Sequence, residues 1–186
     1  MFKHISTKEL VFITMMGVAW FILDFLVGQW VNALTGLFLI GAAVSSVVAG
    51  FFVVIMAKIR PKFGTFTLAL LIFGLLALPT ASAGPVGFWP KVVANFLAGF
   101  VGDSWFKFTK YKTWGIVVGF YVVATALLYL QTFSLIWFGI PEAGEILRIM
   151  PLVVLGFWVI GTLGLWLGFF VYRRIKDKHL VRQLQN

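Results

Sequence analysis

Six apolar stretches, each about as long as a bilayer crossing, take up most of the chain. They run from about Leu10 to Gln29, Gly36 to Ala57, Gly64 to Ala81, Trp89 to Phe108, Trp114 to Phe133 and Pro151 to Tyr172. Their apolar positions are continuous rather than alternating, which predicts helices and argues against an outer-membrane barrel. Lipid offers no partner to exposed backbone groups, and a helix satisfies its own. The breaks carry matching signals. Pro61 sits among Lys58, Arg60 and Lys62, and Pro79 precedes the segment Ala83-Gly84-Pro85-Val86-Gly87. Trp30 to Thr35 reads as a short link, and Ser134 to Arg148 as a longer one with a helical turn of its own. Pro151 occupies a favoured first-turn position for the last helix.

Composition turns this pattern into a class. Hydrophobic residues make up 61% and charged residues 11% of the 186 residues, against about half and about a quarter in a soluble domain. Too little polar surface remains to face water, so the expected fold is an all-α integral membrane protein, one domain over residues 1–186. Six spans leave no room for a soluble catalytic or nucleotide-binding module. Leu10 to Val27 is long for a signal-peptide core and no small-residue cleavage site follows, so it reads as a retained first helix.

Charge adds orientation. All but two of the fifteen Lys and Arg residues fall in four clusters at every second break: Lys3/Lys8, Lys58/Arg60/Lys62, Lys107/Lys110/Lys112, and Arg173/Arg174/Lys176/Lys178/Arg182. Cytoplasmic loops carry the Lys/Arg excess, so both termini are expected inside, in the cytoplasmic membrane of a prokaryote. Lys91 and Arg148 are the two cations left outside. The net charge of +9 follows from topology and forms no continuous basic face, which argues against nucleic acid. There is no cysteine, hence no disulfide. His4 and His179 stand alone in the tails, so no metal site and no cofactor is expected, and no phosphate-binding or hydrolase motif occurs.

The polar residues inside the spans are candidates for function. Asp24 lies near the outer end of helix 1, where a carboxylate needs water or a partner. It either pairs with Lys91 or a Trp N–H, or lines a cavity open to the outside. Trp89, Lys91 and Asn95 bring aromatic, cationic and amide groups to the outer mouth of helix 4. That mixture suits a flat ligand with an anionic or polar substituent, or else an interfacial anchor with a snorkelling lysine. Asp103 precedes Lys107 by four residues and reads as half of a local ion pair. Glu142, Glu145 and Arg148 either complement the start of helix 6 or gate an outer pocket. Small residues form stripes at Gly41/Ser45/Ala49, Ala42/Ser46/Gly50, Ala94/Ala98/Gly102 and Gly161/Gly164/Gly168. Such stripes pack helices against each other or dock another membrane subunit.

These features together resemble the substrate-binding S component of an energy-coupling factor (ECF) transporter. The resemblance lies in the length, six helices with cytoplasmic ends, and the Lys8-Glu9-Leu10 entry to helix 1. It extends to the segment Ala57-Lys58-Ile59-Arg60-Pro61-Lys62-Phe63-Gly64 and the Ala- and Gly-rich run Pro90 to Asp103. The resemblance implies a non-catalytic subunit that captures a vitamin or related micronutrient near the outer face. It also implies docking to a transmembrane T subunit with two cytosolic ATPases. Asp24, Asn32, Trp89, Lys91, Asn95 and Glu145 are then the expected pocket. The family's Ala-x-x-x-Ala docking motif is absent from helix 1, so Gly17 and the Gly41/Ser45/Ala49 stripe are the docking candidates, or another face serves. The rival readings are a small membrane enzyme acting on lipid headgroups and a non-catalytic scaffold.

Overall fold

A computed structural model describes residues 5–36, 38–82, 84–141, 143–178 and 181. Lys3, His4, Glu142, His179 and Arg182, singled out above, lie outside the described residues. The described residues form six helices: α1 (Thr7–Thr35), α2 (Phe38–Ile59), α3 (Thr65–Ala77), α4 (Pro90–Phe108), α5 (Thr113–Trp137) and α6 (Ala143–Ile175). Four of them, α1, α2, α5 and α6, are long and apolar enough to cross a membrane. The other two differ in kind. α3 has 13 residues, about 20 Å of helix, which is short of a hydrocarbon core of about 30 Å. α4 has 19 residues but carries Lys91, Asp103 and Lys107.

Several boundaries depart from expectation, each for a local reason. α1 starts at a capping box: the Ser6 hydroxyl accepts from the Glu9 N–H at 3.3 Å, and the Ser6 N–H donates to Glu9 Oε2 at 2.8 Å. It continues through Trp30 to Thr35, which contain no breaker, and stops at Gly36 with φ 68°. The expected outer link is therefore helix, and Asn32 projects from its last turns. α3 ends early because Pro79 lacks an N–H; Leu78 and Thr80 donate to Leu75 and Ala77 carbonyls three residues back, at 3.2 and 3.0 Å. The long outer segment from Ser134 to Arg148 shrinks to a tight connection at Gly139, because α5 runs on to Trp137 and α6 starts at Ala143. Pro151 consequently lies inside α6 rather than in its first turn.

Around the bundle the neighbour order is α1, α2, α6, α5, α4, α3 and back to α1. This ring closes through glycines. A side chain at Gly164 would run into the Val47 carbonyl, one at Gly50 into the Gly161 carbonyl, and one at Gly168 would come within 2.9 Å of the Phe51 carbonyl. The Gly161/Gly164/Gly168 stripe is thus the α2–α6 seam, where close backbone approach gives van der Waals packing. The residues assigned to partner docking are also internal. A Cβ on Gly17 would meet the Ala69 carbonyl of α3 at 2.9 Å, and one on Gly41 would meet Gly28 O at 2.7 Å and the Asn32 side chain. Ser45 is buried and Ala49 faces the interior cavity. Docking on these four residues is therefore corrected to internal packing, because the bundle itself uses the small faces.

One end of the bundle gathers the basic clusters around a polar knot. Glu9 Oε1 contacts Lys62 Nζ at 2.6 Å and Arg60 Nε at 3.3 Å, and Arg60 also donates to the Thr65 hydroxyl. Asp103 accepts from the N–H groups of Gly64, Phe66 and Thr67 at 2.9, 3.2 and 2.9 Å, and from Thr67 Oγ1 at 2.6 Å. It caps α3 from the neighbouring helix, since Gly64 at the cap position has no side chain to offer. The expected Asp103–Lys107 ion pair does not form; Lys107 Nζ lies over the Phe63 ring, 5.6 Å from its centroid. Nearby, Lys58 Nζ reaches the Thr113 hydroxyl at 3.3 Å, and burial pushes the Tyr111 phenol above its ordinary range.

Candidate functional site

The opposite half of the bundle encloses a cavity of about 210 Å³ to which all six helices contribute. Its α1 wall follows from spacing: Trp20, Asp24, Gly28 and Asn32 recur every four residues and share one helix face. Ala42, Ser45, Ser46, Ala49 and Val53 form the α2 wall in the same way. α3 adds Phe73, α4 adds Asn95, α5 adds Phe120, Gln131 and Thr132, and α6 adds Met150 and Phe157. Toward the basic end the cavity is closed by packed aromatics. Trp20 stacks with Phe52 at 6.0 Å between ring centroids and meets Phe73 edge-on at 5.8 Å.

Asp24 projects into this space within hydrogen-bonding reach of the Ser45 hydroxyl, which itself donates to the Ala42 carbonyl at 3.0 Å. The alternative pairing of Asp24 with Lys91 is not what forms. Lys91 is fully buried, and its ammonium donates to the carbonyls of Thr80, Ser82 and Pro85 at 2.8, 3.3 and 3.2 Å. Three carbonyls satisfy all three ammonium donors, so Lys91 fastens the α3–α4 connection, and among the described residues no cation lines the cavity.

Asn95 stands one helical turn further on and is also fully buried. Its Nδ2 donates to the Lys91 carbonyl at 2.7 Å, and its Oδ1 has no hydrogen-bond partner. A carbonyl accepts only, so the amide orientation is set by that bond rather than by choice. The oxygen is therefore the free group at the cavity. Asn32 Oδ1 is buried and unpartnered as well, held beside Gly41 at the α1–α2 contact. Buried polar atoms are seldom left unpaired, and the two acceptors, one on α1 and one on α4, mark places where something else supplies donors.

Of the six residues expected in the pocket, the cavity brings together Asp24, Asn32 and Asn95. The other three lie elsewhere. Trp89 is 59% exposed and flanks a separate shallow groove with Phe133, Trp137 and Phe138. Glu145 is exposed in the first turn of α6, where it suits the helix dipole. Lys91 is the loop fastener described above. Residues not singled out for the site include Trp20, Gln29, Phe73, Phe120, Gln131 and Thr132, and Ser45 moves from a docking role into the wall. Two signals were available: the four-residue period through Asp24, and the adjacent polar pair Gln131-Thr132 in an otherwise apolar helix. Among the described residues, no three His, Cys, Asp or Glu side chains come together as a metal site would need.

Comparison with known proteins adds a family. A model described as "Hypothetical bacterial integral membrane protein (Trep_Strep)" matches residues 7–144, which reaches from the start of α1 to the first turn of α6. No curated protein and no solved structure matches the chain. The matched segment covers well over half of the sequence, and the protein belongs to the Trep_Strep family of bacterial integral membrane proteins.

Proposed function

We propose that this protein is the substrate-capture (S) component of an ECF-type importer, a subunit that binds a vitamin or related micronutrient and has no catalytic activity of its own. In this reading all six helices cross the cytoplasmic membrane and both termini are cytoplasmic. The observation that carries it is the cavity. It is ringed by six helices, lies in the half away from the basic clusters, and presents a carboxylate and an unpartnered buried amide oxygen. Positive charge marks the cytoplasmic side, so the cavity belongs to the outer half, where a capture site has to load. Its size and mixture of aromatic walls with few polar groups suit a small molecule. The partners are a transmembrane T subunit and two cytosolic ATPases, with docking on an outward helix face rather than on Gly17 or the Gly41/Ser45/Ala49 stripe.

An enzyme acting on lipid headgroups is less well supported. Acid–base chemistry of that kind calls for two carboxylates together, but Asp24 lines the cavity while Asp103 caps α3 and Glu9 is paired at the other end. Native mass spectrometry of gently purified protein, alone and with candidate T subunit and ATPases, tests the proposal. A bound small organic molecule, retained by wild type and depleted in Asp24→Ala, is the expected result. Lipid turnover by the purified chain, or a stable partner other than an ATPase module with no small molecule bound, would overturn it.

A further inference from the structure

We infer that the ligand of this cavity is a flat organic cation, a ring bearing an ammonium- or amidinium-type donor group, and not an anion. The inference rests on the reading of the cavity as a capture site and gives that site a ligand class. It comes from the charge on the wall and from how the buried Asn95 amide is already bonded. Among the described residues lining the cavity, Asp24 is the one ionisable side chain; no Lys, Arg or His faces it. The cation expected to serve an anionic ligand, Lys91, has its three donors spent on the Thr80, Ser82 and Pro85 carbonyls. An anion would enter a low-dielectric space whose described lining offers it no countercharge, which is strongly unfavourable.

The acceptors tell the same story independently of Asp24. Asn95 Oδ1 is buried and unpartnered, and its amide cannot turn to present Nδ2 without facing its own oxygen to the Lys91 carbonyl. The Ser46 hydroxyl proton is used on the carbonyls of Ala43 and Phe157, so its oxygen remains as an acceptor. A ligand rich in N–H donors would satisfy the carboxylate and the Asn95 oxygen together. The aromatic walls, Phe73 and Phe120 among them, favour a ring over a hydrated metal ion and attract positive charge through their faces.

Three size-matched ring compounds separate the possibilities: benzamidine (cation), benzamide (neutral) and benzoate (anion). Their binding to the wild-type protein in nanodiscs is measured by equilibrium dialysis, with native mass spectrometry of the same preparation for any retained molecule. Benzamidine is expected to bind at least about tenfold more tightly than benzoate, a ratio worth about 1.4 kcal/mol, with benzamide between them. Asp24→Asn is expected to bring benzamidine to the level of benzamide and leave benzamide unchanged. The comparison on wild type needs no variant, so it stands even if Asp24→Asn folds poorly. Benzoate binding as tightly as benzamidine, or a retained molecule that is anionic, would overturn the ligand class and leave the capture reading intact. Displacement of benzamidine by sodium chloride but not by an equal ionic strength of a bulky-ion salt would make this an inorganic cation site and also overturn it. No binding of any of the three and no retained molecule would remove the capture reading along with it.

Discussion

The Asp103 carboxylate gives the sharpest test of how the bundle is held. It accepts three backbone N–H groups and one hydroxyl at the start of α3, with distances from 2.6 to 3.2 Å, while fully buried. Asp103→Ala leaves three buried N–H donors without a partner. Each such loss costs about 1–3 kcal/mol, and a cap removed from an exposed helix costs about 0.5–2 kcal/mol. Water reaching the vacated space offsets part of this, so a net loss of about 3–5 kcal/mol is expected. In a chain of this size that lowers Tm by on the order of 10 °C. Asp103→Asn should cost about half as much. One amide oxygen in the Oδ2 position keeps the Gly64, Thr67 N–H and Thr67 hydroxyl bonds, and only the Phe66 N–H loses its acceptor. Lys107→Ala serves as the control, since Lys107 rests on the Phe63 ring and not on Asp103; it should change stability by about 1 kcal/mol or less. Thermal unfolding of the three variants in nanodiscs, read by intrinsic tryptophan fluorescence, supplies the measurement. If Lys107→Ala destabilises as much as Asp103→Ala, the carboxylate works as an ion-pair partner and the capping argument fails.

Three further predictions concern other parts of the bundle. Gly164→Val should destabilise by more than about 3 kcal/mol through overpacking against the Val47 backbone. Gly156→Ala, with nothing near its Cβ, should be neutral or stabilising by up to about 1 kcal/mol; equal effects in a thermal-shift assay would refute the α2–α6 seam. Lys91→Met should raise amide hydrogen exchange across residues 78–88, because three loop carbonyls lose their donor, while benzamidine remains preferred over benzoate. A shift of that preference toward the anion would return Lys91 to the site. Tyr111→Phe should hold or raise Tm, since the phenol oxygen is buried without a partner and its removal forfeits no bond; a loss of more than about 1 kcal/mol would show a partner for it.

The all-helical membrane class was legible in the sequence because it depends on local quantities. Lipid demands about twenty apolar residues per crossing, and an amphipathic or alternating pattern is not needed to see them. The helix ends were less legible. Ser6 and Glu9 form a capping box whose spacing is visible in the sequence, but the continuation of α1 to Thr35 depended on the absence of a breaker rather than on a signal. Pro79 was a good stop signal; Pro151 was not a start signal, because a proline inside a long membrane helix is tolerated when neighbours satisfy the freed carbonyl.

Three of the six residues expected in the pocket line the cavity, and the division has a physical cause. Asp24 and Asn95 are polar groups deep in apolar helices, where lipid forces them inward, so their participation was readable from cost alone; Asn32, read as part of a link, joins them because α1 runs on to Thr35. Lys91 is equally polar, but a long side chain chooses among acceptors within several ångströms, and three carbonyls of its own loop came first. Trp89 has an amphipathic ring that rests at an interface as readily as in a pocket. The small-residue stripes posed the same ambiguity: Gly41 and Gly17 permit close approach, but a glycine does not say to which helix.

The sequence by itself determined that this chain lives in a membrane as a helical bundle, how its charged ends are grouped, and which buried polar groups need an explanation. Those follow from local hydrophobicity and desolvation, which act residue by residue. Only the tertiary structure decided that α2 packs against α6, closing a ring in the order α1, α2, α6, α5, α4, α3, and that Asp103 caps a neighbouring helix. It alone turned Lys91 away from the cavity and left Asn95 with a free oxygen in it. Such choices depend on which distant segments meet, and in a bundle built from similar apolar faces that is settled by glycine contacts and hydrogen-bond competition across the whole fold.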